Sequence, residues 1–169
     1  MTIPIYMEIV FTDGSTRGNG KATAKGGIGV YFPEHSNWNY SEPITSETFK
    51  KPVTNNLTEL YSIKKAIEIA EYHNPNTKLS LTIYSDSKYC CDIFNSWAKT
   101  WEKNDWKKRD GTTILNKSLI QNIWETIKKH NICLKHCRSH CDEPLNKETE
   151  AYRIWYGNKM ADNLATNYK

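Results

Sequence analysis

Four acidic residues lie next to predicted ends of secondary structure: Asp13, Glu59, Asp86 and Asp162. Carboxylate oxygens are hard ligands of the kind that Mg²⁺ and Mn²⁺ prefer, in contrast to the nitrogen and sulfur ligands typical of zinc. Two such ions about 3.5–4 Å apart can activate a water molecule and stabilise the leaving oxygen of an in-line phosphoryl displacement. Four acids brought together could therefore carry metal-dependent phosphoryl chemistry.

Each acid also has a purely structural explanation. Asp13 precedes a glycine in a turn signal, and Asp86 is a residue type favoured at a helix N-cap. Asn56 and Glu59 match the spacing of a capping box, and Asp162, early in a predicted helix, would be stabilised by the helix dipole. Because each residue alone is explained without a function, the metal-site hypothesis requires that the four converge.

The elements that must position these acids follow the order βββ-αβ-α-α-β-α. Strands are predicted at 5–12, 26–32, about 39–44, 79–84 and 131–137, and helices that end near 74, run from 85 to 97, span 115–127 and begin near 158. This order predicts a mixed sheet with helices on its faces, in which strand ends and helix starts border one crevice. Four carboxylates there would raise one another's pKa values unless cations held them. Spacing alone leaves their convergence open.

The length and composition of the chain exclude several classes of protein. It has 169 residues, of which 38% are hydrophobic and 25% charged, as expected for one soluble globular domain. No stretch approaches the roughly 20 apolar residues of a membrane-spanning helix, and MTIPIYMEIVF at the N-terminus lacks the features of a signal peptide. Five cysteines without a secretion signal predict an intracellular, reducing location, cytoplasmic or nuclear. The net charge of +4 permits a polyanionic partner without requiring one.

Residues 97–109, called the basic segment here, alternate tryptophans with cations. They include Trp97, Trp101, Trp106, Lys99, Lys103, Lys107, Lys108 and Arg109. Tryptophans at this spacing are more often packed in a core, and lysines alone more often form a solvated surface. The alternative is a surface for a nucleic-acid backbone, which would contribute affinity and salt dependence without sequence specificity.

The segment CLKHCRSHCDEP (133–144) contains side chains of zinc-ligand type. These are Cys133, His136, Cys137, His140 and Cys141. If 131–137 is a strand, Cys133 and Cys137 share one face and His136 lies on the other, which disfavours tetrahedral coordination. A loop histidine with no chemical role remains an alternative for His140.

Five motifs in order resemble the conserved blocks of the type 1 ribonuclease H family. They are FTDGS (11–15), TNNLTEL (54–60), IYSDSKY (83–89), SWAKTWEKNDWKKRDGTTILNK (96–117) and GNKMADNLA (157–165). The resemblance runs from about residue 6 to 168 and is interrupted chiefly at 142–157. It implies an α/β ribonuclease H-like fold, a five-stranded mixed sheet of order 3-2-1-4-5 flanked by helices. Residues 1–169 would form a single catalytic domain without a separate hybrid-binding domain.

The activity implied by this resemblance is endonucleolytic hydrolysis of the RNA strand of RNA–DNA hybrids, leaving 5′-phosphate and 3′-hydroxyl ends. Two Mg²⁺ ions, which Mn²⁺ can replace, would be held by Asp13, Glu59, Asp86 and Asp162. Asp13 would bridge both ions, Glu59 and Asp86 would hold the ion on the leaving-group side, and Asp162 the ion carrying the attacking water. His140 matches a mobile-loop histidine that assists proton transfer or product release. A monomer that acts away from membranes is expected.

The resemblance also implies residues that contact the hybrid. Asn19, Asn55 and Asn56 would contact 2′-hydroxyls in the minor groove, Trp97 a deoxyribose, Thr54 and Asn116 a DNA phosphate, and Lys103, Lys107 and Lys108 the DNA backbone. The structural alternatives are helix capping for Asn55 and Asn56 and a turn for Asn19. Both roles can coexist.

The stretch between His140 and Asp162 is longer than in the family, acidic early and aromatic late. It predicts a longer lid or a helical turn over the cleft.

Two other functions are alternatives to a nuclease that acts on hybrids. An integrase- or resolvase-type nuclease acting on DNA is disfavoured by the asparagine pair 55–56 and the basic segment. A hybrid-binding module without catalysis is disfavoured because a binder gains nothing from four acids facing phosphate.

Overall fold

The computed structural model describes residues 7–167, which form a five-stranded mixed sheet of order β3-β2-β1-β4-β5. The strands are β1 (Glu8–Arg17), β2 (Lys25–Tyr31), β3 (Tyr40–Thr45), β4 (Ser80–Ser85) and β5 (Asn131–His136). The first three are antiparallel neighbours, whereas β1, β4 and β5 are parallel. The predicted sheet order is confirmed. The predicted start of the first strand at residue 5 lies outside the described residues.

Six α-helices, one π-helical turn and one 3₁₀ turn are described within residues 7–167. They are α1 (Ser46–Phe49), α2 (Asn55–His73), α3 (Lys88–Asp92), the π-helical turn Ile93–Trp97, α4 (Ala98–Lys103), α5 (Lys117–Lys129), α6 (Glu150–Thr166) and the 3₁₀ turn Ser36–Trp38. The helix predicted to end at Trp97 instead continues into α4 and ends at Lys103, because no glycine or proline interrupts it. None of the described helices is long and apolar enough to cross a membrane.

Helix α2 begins at a side-chain cap that differs from the predicted one. The hydroxyl of Thr54 accepts a hydrogen bond from the Leu57 N–H at 3.2 Å, so Thr54 is the N-cap. The predicted capping box of Asn56 and Glu59 is therefore wrong, and Glu59 lies in the second turn. The apolar residues of α2 recur every three or four positions, and the helix ends at His73, two residues before a proline.

The two faces of the sheet carry different helices. Helices α2, α3 and α5 enclose the larger core, which contains Val10, Leu60 and Ile83. Helix α6 packs on the other face, where Ala161 meets the rings of Phe11 and Tyr84. The centre of the sheet therefore has helices close to both sides.

Glycines allow these helices to approach the strands closely. A Cβ atom at Gly14 would lie 2.5 Å from the backbone nitrogen of Glu59, and one at Gly29 would overlap the carbonyl oxygen of Ala161. Gly14 and Gly29 are on β1 and β2 and contact opposite helices, α2 and α6. Because neither has a side chain, both helices contact the strand backbone directly.

Candidate active site

Strand pairing places Asp13 and Asp86 side by side. Thr12 pairs with Ser85 at the last matched position of the parallel strands β1 and β4, and Asp13 and Asp86 follow at the next position of each. Asp13 lies within β1 opposite Gly29, so the turn predicted at 13–14 is wrong. The strand continues because its second half still pairs with β2.

Asp86 is also not the N-cap of the following helix. The Ser87 hydroxyl accepts a hydrogen bond from the Cys90 N–H at 3.2 Å and caps α3. The Asp86 carboxylate is therefore not used in capping and lies at the carboxyl end of β4, the usual place for a ligand site in a sheet with parallel strands.

Glu59 reaches the same place from helix α2, which the close contact at Gly14 holds against β1. One oxygen from each of Asp13, Glu59 and Asp86 lies within 4.8 Å of the other two. Within residues 7–167 this is the one group of three or more Asp, Glu, His or Cys side chains spaced to share a metal ion. We call these three residues the acid cluster.

Asp162 adjoins the acid cluster but lies outside its 4.8 Å spacing. A side-chain hydrogen bond with Asp162, together with its charge, raises the pKa of Asp13, and the charge of Asp162 raises the pKa of Asp86, although burial is the largest cause for both. Asp162 is in the fourth turn of α6, because the helix begins at Glu150 and not near 158. The prediction that Asp162 sits early in the last helix is therefore wrong, and its role as a metal ligand stays a prediction.

The acid cluster is unfavourable without a counterion. Burial raises the pKa values of Asp13, Glu59 and Asp86, and mutual repulsion raises them further. The Oε2 atom of Glu59 is buried without a hydrogen-bond partner among the described residues. Divalent cations would neutralise the charge and use this free oxygen, so the donor set fits hard metal ions.

A cavity of about 260 Å³ opens beside the cluster, and its lining includes Asp86, Asp162, His140, Arg138 and Lys159. His140 is exposed on the loop after β5, with a left-handed φ of 53°. The His140 and His136 imidazoles partly offset the rise that burial and Asp162 cause in the pKa of Asp86. The histidine predicted from the motifs thus lies close enough to the acids to affect one of them.

The predicted minor-groove residues lie together at the start of α2. Asn55 and Asn56 are exposed in its first turn. The Asn19 side-chain oxygen accepts a hydrogen bond from the Asn55 N–H at 2.7 Å, and the flanking Gly18 and Gly20 have positive φ angles. Asn19 therefore does occupy a turn, and this turn holds it next to the asparagine pair.

The two predicted phosphate contacts have a neighbour that the sequence reasoning missed. Thr54 caps α2, and Asn116 is the N-cap residue of α5. The Lys51 ammonium donates a hydrogen bond to the Asn116 side-chain oxygen at 2.9 Å. No local signal could have revealed this pair, since its members are far apart in the sequence.

The basic segment combines the two alternatives left open by its sequence. Trp101 and Trp106 pack against the larger core, whereas Trp97 is 41% exposed. The lysines Lys103, Lys107 and Lys108 are exposed, and none of the three forms an ion pair with a described residue. Residues 107–113 form a small hairpin, in whose turn the Gly111 N–H donates a hydrogen bond to the Lys108 carbonyl at 2.9 Å.

The cysteines and histidines of 133–141 do not assemble a metal site among the described residues. Cys137 is buried and its thiol donates to Asn158, whereas Cys133 and Cys141 are exposed. The Nε2 atom of His136 lies 3.2 Å from the carbonyl oxygen of Asp86.

The unusual stretch 142–157 ends as helix, because residues 150–157 are the first two turns of α6. The Thr149 hydroxyl accepts a hydrogen bond from the Tyr152 N–H at 3.2 Å and caps the helix. This threonine was the signal that would have predicted the helix start. The added turns bring Trp155 to the cavity beside the acid cluster, a residue the sequence reasoning did not select.

Comparison with known proteins agrees with this geometry. The chain is 33% identical over 158 residues to a ribonuclease H of Schizosaccharomyces pombe, covering 94% of the chain and 51% of that protein. It is 34% identical over 150 residues to a probable ribonuclease H of Acanthamoeba polyphaga mimivirus, covering 89% of the chain and 61% of that protein. The chain thus spans only part of the length of these two relatives.

Solved structures show the same fold. LC9-RNase H1, a type 1 RNase H with the type 2 active-site motif, aligns with a TM-score of 0.66 and 25% identity over 98% of this chain and 72% of that one. LC11-RNase H1 in complex with an RNA/DNA hybrid aligns with a TM-score of 0.58 and 16% identity, covering 93% of this chain and 92% of that one. The RNase H family model matches residues 6–169, and the chain therefore belongs to the RNase H family.

Proposed function

We propose that the chain is an endonuclease that hydrolyses the RNA strand of RNA–DNA hybrids. The observation that carries this proposal is the acid cluster, with three carboxylates within 4.8 Å and one buried oxygen left without a partner. Membership of the RNase H family supports the choice of substrate. A related fold that has been solved with a hybrid bound supports it further.

The residues at the site fit a two-metal assignment. Two Mg²⁺ ions, or Mn²⁺ in their place, would activate the attacking water and stabilise the leaving oxygen, so that the products carry 5′-phosphate and 3′-hydroxyl ends. Asp13 lies between helices α2 and α6 and would hold both ions. Glu59 and Asp86 would hold the ion on the leaving-group side, and Asp162 the other.

His140 would act on protons at the edge of the site. It is exposed and lines the cavity beside Asp86 and Asp162. An imidazole there can take up or release a proton as the product leaves. We expect slower turnover without it and not a complete loss.

The hybrid would lie across the start of α2 and the basic segment. Asn19, Asn55 and Asn56 would contact 2′-hydroxyls, Thr54, Asn116 and Lys51 a DNA phosphate, Trp97 a deoxyribose, and Lys103, Lys107 and Lys108 the DNA backbone. The exposed asparagines distinguish RNA from DNA because 2′-hydroxyls both donate and accept hydrogen bonds. We propose that residues 1–169 act as one catalytic unit, as a monomer, inside the cell.

The test is cleavage of duplexes in which either strand is labelled. We expect Mg²⁺-dependent cleavage of the RNA strand of a hybrid, none with a chelator, and none of duplex DNA or single strands. Equal cleavage of duplex DNA would favour an integrase-type nuclease. Tight hybrid binding with no cleavage under any divalent metal would favour a binding module.

A further inference from the structure

Trp155 connects the histidine loop to helix α6. Its indole Nε1–H donates a hydrogen bond to the carbonyl oxygen of Cys141 at 3.0 Å. Cys141 directly follows His140, and the loop from Arg138 to Cys141 is exposed. The left-handed φ of 53° at His140 is sparsely populated by residues other than glycine, so this conformation requires support from its surroundings.

The Trp155 side chain is itself held in place. The Lys159 ammonium, four residues later in the helix, lies 5.0 Å from the centre of the indole ring. The centre of the Tyr152 ring, three residues earlier, lies 5.5 Å from the centre of the indole ring. Cation–π and aromatic contacts of this kind restrict the ring orientation. The indole N–H is therefore aimed at the loop by neighbours on its own helix.

Helix α6 also carries the acid that adjoins the cluster. Trp155, Lys159 and Asp162 follow one another at four- and three-residue spacing, which places them on one side of the helix. The helix is fixed to the sheet where Gly157 meets the ring of Phe11 and Gly29 meets the helix backbone. A loop tied to this helix is thereby tied to the acids.

We infer that Trp155 is a positioning residue for His140, and that the added turns of α6 replace loop mobility with a hydrogen-bonded anchor. This inference rests on the proposed function of His140. A single hydrogen bond to a neutral partner corresponds to about a 2- to 10-fold change in a rate or equilibrium. Trp155→Phe keeps an aromatic ring and removes the donor, so it lowers kcat by about this factor and leaves KM for the hybrid unchanged.

The test is a double-mutant cycle of Trp155→Phe and His140→Ala, with kcat and KM measured on a labelled hybrid. Trp155→Phe slows the wild-type enzyme but has no further effect once His140 is absent, because the anchor then has nothing to position. If the two effects multiply, or if either single variant turns over like wild type, the inference is overturned. Thermal unfolding of each variant checks that the fold is retained.

Trp124→Phe is the matched control. Trp124 is on helix α5, and its indole N–H also donates to an exposed acceptor, the Glu102 carboxylate, at 2.9 Å. Its effect on kcat should be independent of His140→Ala, and equal coupling for both tryptophans would overturn the inference.

Backbone order parameters from NMR test the anchoring without any enzyme activity. The order parameters of residues 138–141 should be lower in Trp155→Phe than in the wild type, since the loop then samples more conformations. Unchanged order parameters would overturn the inference. A wild-type protein that fails to cleave the hybrid, yet shows this loss of order in the variant, would refute the proposed function while the anchor stands.

Discussion

The carboxylates of the acid cluster stand on long, packed elements, whereas the lysines of the basic segment stand on short, exposed ones. Strand β1 has ten residues and helix α2 has nineteen, and both pack against neighbouring elements. Helix α4 has six residues, and the arms of the hairpin after it are joined by the bridge of Lys107 with Thr113 and by the hydrogen bond from the Lys108 N–H to the Thr112 carbonyl. The acid cluster is buried and its charges repel one another, whereas the basic segment is solvated and none of its four exposed lysines forms an ion pair with a described residue.

The difference indicates a division of tasks. Groups that hold metal ions must be kept close together against their own repulsion, which requires rigid backbone on both sides. Groups that attract a polyanion work at longer range and through exposed charge. We therefore expect substitutions in the acid cluster to affect turnover, and substitutions in the basic segment to affect binding.

The largest expected effect is that of Asp13→Asn. It removes the central carboxylate while preserving size, so kcat on a hybrid should fall by about 1000-fold or more. The dissociation constant for the hybrid, measured in Ca²⁺ or without metal, should stay within about threefold because other residues make the proposed contacts. Asp92→Asn, on α3 and ion-paired with Lys88, is the control and should retain activity. Full activity of Asp13→Asn would remove the metal assignment.

A smaller effect is expected from Lys107→Ala combined with Lys108→Ala. Binding should weaken by about 10-fold at moderate salt, and the slope of log affinity against log salt should become shallower by about 1 to 2, since up to two phosphate contacts are lost. At saturating hybrid, kcat should be unchanged.

The control for this pair is Lys78→Ala with Lys129→Ala. Both lysines are exposed near the opposite end of β4 from Asp86, and their loss changes the net charge equally. Equal weakening by the two double variants would mean that overall charge, and not the basic segment, attracts the hybrid.

The smallest expected effect is on stability. The raised pKa values of Asp13, Glu59 and Asp86 mean that the folded metal-free protein binds protons more tightly than the unfolded chain. Stability should then fall as the pH rises above the ordinary carboxyl pKa of about 4 towards the raised folded values. Between pH 5 and 8 we expect the contribution of the cluster to lower Tm by roughly 3–6 °C. Adding Mg²⁺ should raise Tm more at pH 8 than at pH 5.

Variants separate this contribution from the other titrating groups. Asp13→Asn should flatten the fall in Tm, and the double variant of Lys107 and Lys108 should leave it unchanged. A pH dependence that is identical in wild type and Asp13→Asn would show that the cluster does not destabilise the metal-free protein.

The sheet order was predicted through the ordered motifs that resemble the family, and the same motifs selected the four acids whose spacing alone left their convergence open. The extension of β1 through Asp13 could not be predicted, because a local turn signal was overridden by pairing with β2. The start of α6 was missed although Thr149 signals it, since the acidic and aromatic residues around it lack a clear period. The contact of Lys51 with Asn116 depends on tertiary packing that no local pattern encodes.

The position of strand β1 near the N-terminus also determines the order in which the four acids are synthesised. Asp13 is translated early, but its neighbours arrive on α2, after β4 and finally on α6. Pairings between segments this distant in sequence form late in folding. A ribosome-bound nascent chain therefore lacks the full set of four acids until the segment containing Asp162 has emerged from the exit tunnel, so the proposed metal site is completed last.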